Sequence, residues 1–309
     1  MTTKEYEVPE NLDGTRLDRA AAQLADGLSR ARLKKAIEAG AVRVNGRHRD
    51  KGALVSKGDV IAIDTGDIAD ANAPAIPSPD LPLAVCFEGK GVVVVDKPAG
   101  QPTAPLLPSE TDTLANALVA RYPEMAGVGY SPREPGLVHR LDTDTSGLVI
   151  AARSAEAAVT LLAALKDERI EKRYLLVCSE DGLPDAGQID FPIANHPKDQ
   201  KRVYACIHPR DVMRNSPRPA STSYEVVRRS GKHALVEVKV SRALRHQIRV
   251  HFAAIEHPLV GDLLYGGEVV EGLGRHALHA SRVAFAGGPG VDAFDVTCDL
   301  PPELARLLA

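Results

Sequence analysis

The run His139-Arg140-Leu141-Asp142-Thr143-Asp144-Thr145-Ser146-Gly147 gathers an imidazole, a guanidinium and two carboxylates in one polar loop, and residues 148–152 behind it are apolar and rich in β-branched side chains. Such a segment predicts a buried strand entered by a loop whose acid, Asp142, is held where a substrate can reach it. A carboxylate so placed can attack as a nucleophile or take a proton. Two other readings compete. Loop aspartates such as Asp142 and Asp144 commonly close a turn through their own backbone. Asp142, Asp144, Ser146 and Gly147 also occupy positions one, three, five and six of a calcium loop, but position twelve is Arg153, a cation where a bidentate glutamate is needed. A second cluster spans 242–251, with Arg242, Arg245, His246, Gln247, Arg249 and His251. His246, His251 and His257 do not share a helix face, so no zinc site is expected.

The rest of the chain limits what this chemistry can be. It has 309 residues, 44% hydrophobic and 26% charged, with a formal net charge of -3. That suits a globular protein with one large core and a smaller appended domain, and does not by itself advertise nucleic acid. No apolar run approaches the ~20 residues of a membrane span and no signal-peptide core follows Met1, so a cytoplasmic protein is expected. Cys86, Cys178, Cys206 and Cys298 lie far apart without a Cys-x-x-Cys pair and are expected as small buried hydrophobes. Neither Gly-x-Gly-x-x-Gly nor a phosphate loop occurs, so neither a dinucleotide nor ATP is implied, and no cofactor or metal is expected.

The elements that must position these residues divide into two modules. In residues 1–64, Thr15 can cap a helix carrying Leu17, Ala21 and Leu24, and Ser29 a second carrying Leu33 and Ile37, ended by Gly40. Val42 and Val44 precede Asn45-Gly46, a strong hairpin dipeptide, and 60–63 reads as a further strand. Basic residues dominate this module, and Arg30, Arg32, Lys34 and Lys35 could line one phosphate-gripping surface. Residues 65–82, rich in proline without apolar periodicity, read as a linker.

In residues 83–309, 92–95 is a buried strand leading into Lys97-Pro98-Ala99-Gly100, and 113–122 and 155–172 read as helices, the latter capped by Ser154. Strands are expected at 174–177, 188–192, 201–206, 221–227 and 234–240, then a helix opening at Arg242 and running to Glu256. The density of strands separated by Gly, Pro and Asp predicts an α+β domain, a mostly antiparallel sheet with helices packed on it.

His-Arg-Leu-Asp (139–142) followed by Thr-Ser-Gly-Leu (145–148) resembles the catalytic motif of the RluA-type RNA pseudouridine synthases. Lys97, Pro98 and Gly100, then Lys172-x-Tyr174, then His-Gln-Ile-Arg-Val-His (246–251), 257–267 and 278–280 match further signatures of that family in order. Ser29, Arg30, Leu33, Ile37, Gly40, Val42, Val44, Asn45, Gly46, Val55, Gly58, Asp59 and Ile61 resemble the αL RNA-binding module of a ribosomal protein and many RNA-modifying enzymes. The chain departs from the pattern before His246, where Ala243 and Leu244, flanked by Arg242 and Arg245, replace the usual Gly-Arg.

The resemblance implies the pseudouridine synthase fold behind a small helix-helix-strand RNA-binding domain. It implies that uridine is isomerised by Asp142, with Tyr174 against the base and Arg249 paired to Asp142. Arg140, His139, Gln247 and Ile248 are then expected to touch substrate, with Arg140 filling the space of the expelled base or holding its phosphate. The expected partner is RNA, large-subunit ribosomal RNA before transfer RNA, and the expected state a monomer. Two alternatives keep the sequence but not the reaction: a silent ribosome-assembly factor, and a hydrolase that admits water.

Overall fold

The computed structural model describes residues 3–25, 28, 30–38, 40–64, 73–107, 109–241 and 243–309, with the side chains of 30–32, 35, 214 and 215 outside that description. In the N-terminal module, helices Leu17–Leu24 and Arg30–Glu38 pack on a four-stranded sheet ordered Thr3–Glu7, Val60–Asp64, Val42–Val44, Arg47–His48. Leu17, Leu33, Val42, Ile61 and Ile63 form its sealed core. Asn45 and Gly46 both take positive φ (50° and 75°), as a two-residue hairpin turn demands, and Gly40 (φ 78°) turns the chain out of the second helix. The strand Thr3–Glu7 was not expected. Thr15 does not cap the first helix; it pairs with Val55 in a short strand, and the cap position falls on Arg16. Ser29 lies outside the described residues.

The second half of the expected linker is docked. Ala75 is buried, its N–H donates to Pro132 O (3.1 Å), and Asn116 accepts from Ser78 N–H (3.1 Å) while its side chain donates to Ile76 O (2.7 Å).

The large sheet runs Ala186–Ile189, Thr222–Ser230, His233–Lys239, Ile170–Ser179, Leu278–Phe285, Ser146–Ala152, Val92–Lys97, Ala84–Gly89, with Phe294–Thr297 also on Leu278–Phe285. Every pairing is antiparallel except that of Leu278–Phe285 with Ser146–Ala152, so the expected mostly antiparallel α+β arrangement is what forms. Four consecutive valines can be buried together because alternate side chains leave opposite faces of a strand, and both faces here are covered. Val92 and Val94 meet the helix Ala155–Lys166 through Ala157, Leu161 and Ala164; Val93 and Val95 meet the helix Leu114–Arg121 through Leu114 and Leu118. Burial of each such side chain stabilises by roughly 1.5–3 kcal/mol. On the other half, Tyr174, Leu176, Val236 and Val238 pack against Ile248 and Phe252 of the helix Gln247–Ala254.

Two helix boundaries and the burial of the cysteines differ from expectation. The helix beginning at Ala155 stops at Lys166, because Asp167 and Glu168 (φ 57°) reverse the chain; Lys172 is therefore on the strand Ile170–Ser179. The last long helix begins at Gln247, not Arg242, because His246 is left-handed (φ 54°) and occupies the cap. Cys86 is exposed and Cys298 partly so, whereas Cys178 and Cys206 are buried.

Candidate active site

Gly147 sets the floor. It sits at φ 113° opposite Ala280, where a Cβ would stand 2.3 Å from Ala280 O, so only glycine lets the two parallel strands approach. Thr145 and Ser146, just before and at the strand start, bond His276 Nε2 (2.7 Å) and His279 Nδ1 (2.9 Å). From below, Lys97 is fully buried and donates its three protons to Pro98 O (2.8 Å), Gln101 O (2.8 Å) and Thr143 O (3.0 Å). Burial pushes Lys97 down to about 8, against the pull of the Asp144 and Asp142 charges. The loop carrying Asp142 is thus tied at both ends.

Asp142 opens into a cavity of about 1250 Å³ lined also by Lys172, Tyr174, His246 and Arg249. Arg249 Nη1 donates to Asp142 Oδ2 at 2.9 Å, while Nε and Nη2 fork onto Asp262 Oδ2 (2.7 Å) and Oδ1 (2.9 Å). The Asp262 side chain is 1% exposed, that of Asp142 24%. Asp262 is spent on orienting the guanidinium, and Asp142 is left facing solvent space. Burial works against the charge on Arg249, but the two carboxylates outweigh it and hold the group above its ordinary value.

His246 stands over the same oxygen, its Nε2 3.8 Å from Asp142 Oδ2. Its tautomer follows from the strand Val203–Ala205. Bonds Cys206 N–H to Pro192 O and His196 N–H to Arg202 O put Val203 at a position whose N–H and C=O turn away from the partner strand. The Tyr265 hydroxyl serves both, accepting from Val203 N (3.1 Å) and donating to Val203 O (3.2 Å). With the Tyr265 proton on Val203 O, His246 Nδ1, 2.9 Å away, is the donor to Tyr265 Oη and Nε2 is the unprotonated nitrogen on the Asp142 side, an assignment that rests on that hydroxyl's orientation. Burial keeps His246 below its ordinary value despite the Asp142 charge.

A family model described as RNA pseudouridylate synthase matches residues 91–254, and an S4 domain model matches residues 15–61. The chain belongs to the RNA pseudouridylate synthase family. Over 99% of its length it is 33% identical to "Ribosomal large subunit pseudouridine synthase D" of Xylella fastidiosa, of which 92% is covered. Over 84% of its length it is 36% identical to the protein of that name in Escherichia coli O6:H1, 75% of which is covered. Human RNA Pseudouridylate Synthase Domain Containing 1 shares the fold, with a TM-score of 0.58 at 24% identity over 74% of this chain and 88% of that one.

In this pseudouridylate synthase the expected site residues are not all brought together. Asp142, Tyr174 and Arg249 meet at the cavity, with Tyr174 5% exposed and kept protonated by burial and by the Asp142 charge. Arg140 sits exposed on the rim, paired with Glu134 (2.9 Å). His139 is part of the cavity wall, but its Nε2 accepts Ile150 N–H (3.0 Å) and burial pushes it down to about 3, so it is a neutral buttress of the central strand.

Gln247 and Ile248, expected to touch substrate, do not line the cavity. Gln247 is 2% exposed, accepting from Leu244 N–H and donating to Ser221 O and Thr222 Oγ1, and Ile248 packs beneath Tyr174. Lys34 is exposed; the side chains of Arg30, Arg32 and Lys35 lie outside the described residues. In the departing segment, Arg245 is turned to Gln200 O and Arg202 O, and Leu244 packs beside Val203 and Val250. Asp262, Tyr265 and His246 were not anticipated as a unit. The segment 257–267 matched a family signature without a role assigned to any of its residues, and the acid and the phenol within it are the signal that could have found them.

Proposed function

We propose that this protein isomerises uridines in large-subunit ribosomal RNA to pseudouridine, working as a cytoplasmic monomer with Asp142 as its catalytic carboxylate. The observation that carries the reading is the sharing of Arg249 between Asp142 and Asp262 at the wall of the cavity. Asp262 orients the guanidinium by its fork and leaves one N–H for Asp142, so the carboxylate is held in place at the cavity wall where a substrate can reach it. The names of the relatives support ribosomal RNA as substrate, and the S4 domain supports RNA delivery by residues 1–64. No helix among the described residues is long and apolar enough to cross a membrane, in keeping with the cytoplasm.

The reaction breaks the C1′–N1 bond, turns the freed uracil and joins C5 to C1′, without redox change. Flipping the nucleotide out of the RNA costs a few kcal/mol and one aromatic stack returns about 1–3. Tyr174 alone therefore leaves little margin, and Arg140 at the rim and the N-terminal module supply the remainder. Transcribed large-subunit ribosomal RNA carrying tritium at uridine C5 should release tritium with the wild-type protein and not with Asp142→Asn. Release by both would remove Asp142 from the chemistry. Release by neither would leave a silent binding protein, or one whose substrate is transfer RNA, which the same assay on transfer RNA decides.

A further inference from the structure

Lys172 has no role in the site as described so far. It lies on the strand Ile170–Ser179 two residues before Tyr174, and the alternating burial of that strand puts Ile170, Lys172 and Tyr174 on one face. Lys172 is 4% exposed and lines the cavity. The other cations of the cavity are accounted for. Arg249 is held by two carboxylates, Arg275 by Glu303 (2.8 Å), Arg140 by Glu134 and Arg245 by backbone carbonyls, while Lys166 and Lys201 are open to solvent. Among the described residues Lys172 alone is a buried cation of the cavity with neither a hydrogen-bonded nor an ionic partner. Burial is what pushes it down to about 8, with no carboxylate opposing, and it still carries a proton at neutral pH. Its charge is felt by His139 in the adjoining wall.

A buried ammonium without a counter-ion is costly to keep, and a cavity that keeps one is prepared for an anion that arrives with, or is made from, the substrate. Resting on the synthase reading, we propose that Lys172 is a catalytic residue that stabilises uracil as it leaves the sugar. When the C1′–N1 bond breaks, its electron pair departs with the base and is shared by N1, O2 and O4, leaving C1′ electron-poor beside the Asp142 carboxylate. Lys172 donates a hydrogen bond to a uracil oxygen while that charge lasts. When C5 bonds to C1′ the pair is used in that bond and the charge on the base is cancelled; the C5 proton is then lost to solvent while N1 takes one up, and the ammonium is unpaired again. Lys172 and Asp142 thus divide the work by sign, one facing the negative fragment and the other the positive.

The test compares wild type with Lys172→Met and Lys172→Gln under single turnover, following loss of the parent nucleoside after digestion, on RNA carrying uridine or 5-fluorouridine at the target. Fluorine withdraws charge and makes the base a better leaving group, so it relieves a defect in leaving-group stabilisation. On uridine both variants should lose on the order of 10²–10³-fold in rate with RNA affinity unchanged, and on 5-fluorouridine the loss should shrink at least tenfold. Equal losses on both RNAs would overturn the proposal. So would a weakened RNA affinity with an unchanged rate, which would make Lys172 a backbone-phosphate contact. Failure of the wild type itself on uridine would instead sink the synthase reading and this inference with it.

Discussion

Replacing Lys172 by methionine should make the protein more stable while stopping it. A lysine in the unfolded chain titrates near 10.5, and burial lowers Lys172 to about 8. At about 1.4 kcal/mol per pKa unit, that difference corresponds to roughly 3 kcal/mol of destabilisation at neutral pH, an order-of-magnitude figure. Met fills a similar volume without the charge and adds apolar burial. The pH dependence has a fixed sign. Below pH 8 the amine is charged in both states and the whole penalty applies. Between pH 8 and 10.5 the unfolded chain binds more protons than the folded one, so the wild type gains stability with rising pH and the advantage of the variant shrinks. Above 10.5 it is gone. For a domain of this size, about 3 kcal/mol moves the midpoint by roughly 6–12 °C. Calorimetry of both proteins at pH 7 and at pH 9.5 measures it, and the difference between them cancels Lys97, which titrates in the same window. An unchanged or lowered midpoint at pH 7 would refute the claim that Lys172 is buried without a partner, and so would a gain equal at both pH values.

Two further perturbations address the triad and its neighbours. Asp262→Asn keeps the shape but cannot accept the Arg249 fork; breaking such a buried pair should cost about 3–5 kcal/mol in denaturant unfolding and slow single turnover on the order of 10–100-fold, whereas wild-type values in both would remove Asp262 as the orienting group. Tyr265→Phe should strand Val203 N–H and C=O at a cost of about 1–3 kcal/mol; ¹⁵N shifts should show His246 protonated on Nδ1 in the wild type and mixed in the variant, and a wild-type Nε2–H signal would overturn the tautomer.

Asp142, Tyr174 and Arg249 were legible as candidates because each stands in a motif that resembles the family's, in matching order; local pattern alone placed Asp142 before an apolar strand and left its role open. The supports were less legible, for reasons particular to each. Asp262 lies 13 residues beyond Arg249, beside a glycine in a segment with no periodicity, and nothing short of the fold says that the two face each other. Gln247 and Ile248 share a motif with Arg249, but which of them faces the cavity depends on where the helix starts. That start is set by the left-handed His246, a conformation that residue type alone does not announce. The helix at Ala155 was drawn too long because Leu165 and Ile170 continue its apolar pattern while Asp167-Glu168 reverses the chain without a glycine or proline. The lone status of Lys172 is a fact about what does not surround it, and no sequence pattern reports that.

The one parallel pairing of the sheet bears on the order of events during synthesis. Ser146–Ala152 is flanked on one side by Val92–Lys97, made before it, and on the other by Leu278–Phe285, made more than a hundred residues later. Of the histidines that hold Thr145 and Ser146, His279 comes with that strand and His276 just before it, and Arg249 and Asp262 also come about a hundred residues or more after Asp142. Contacts so distant along the chain form slowly and last. On the proposed function, a nascent chain would complete residues 1–64 long before Asp142 is framed by Leu278–Phe285, so RNA capture would precede the ability to modify it, and a polypeptide cut short before that strand would bind without turning over.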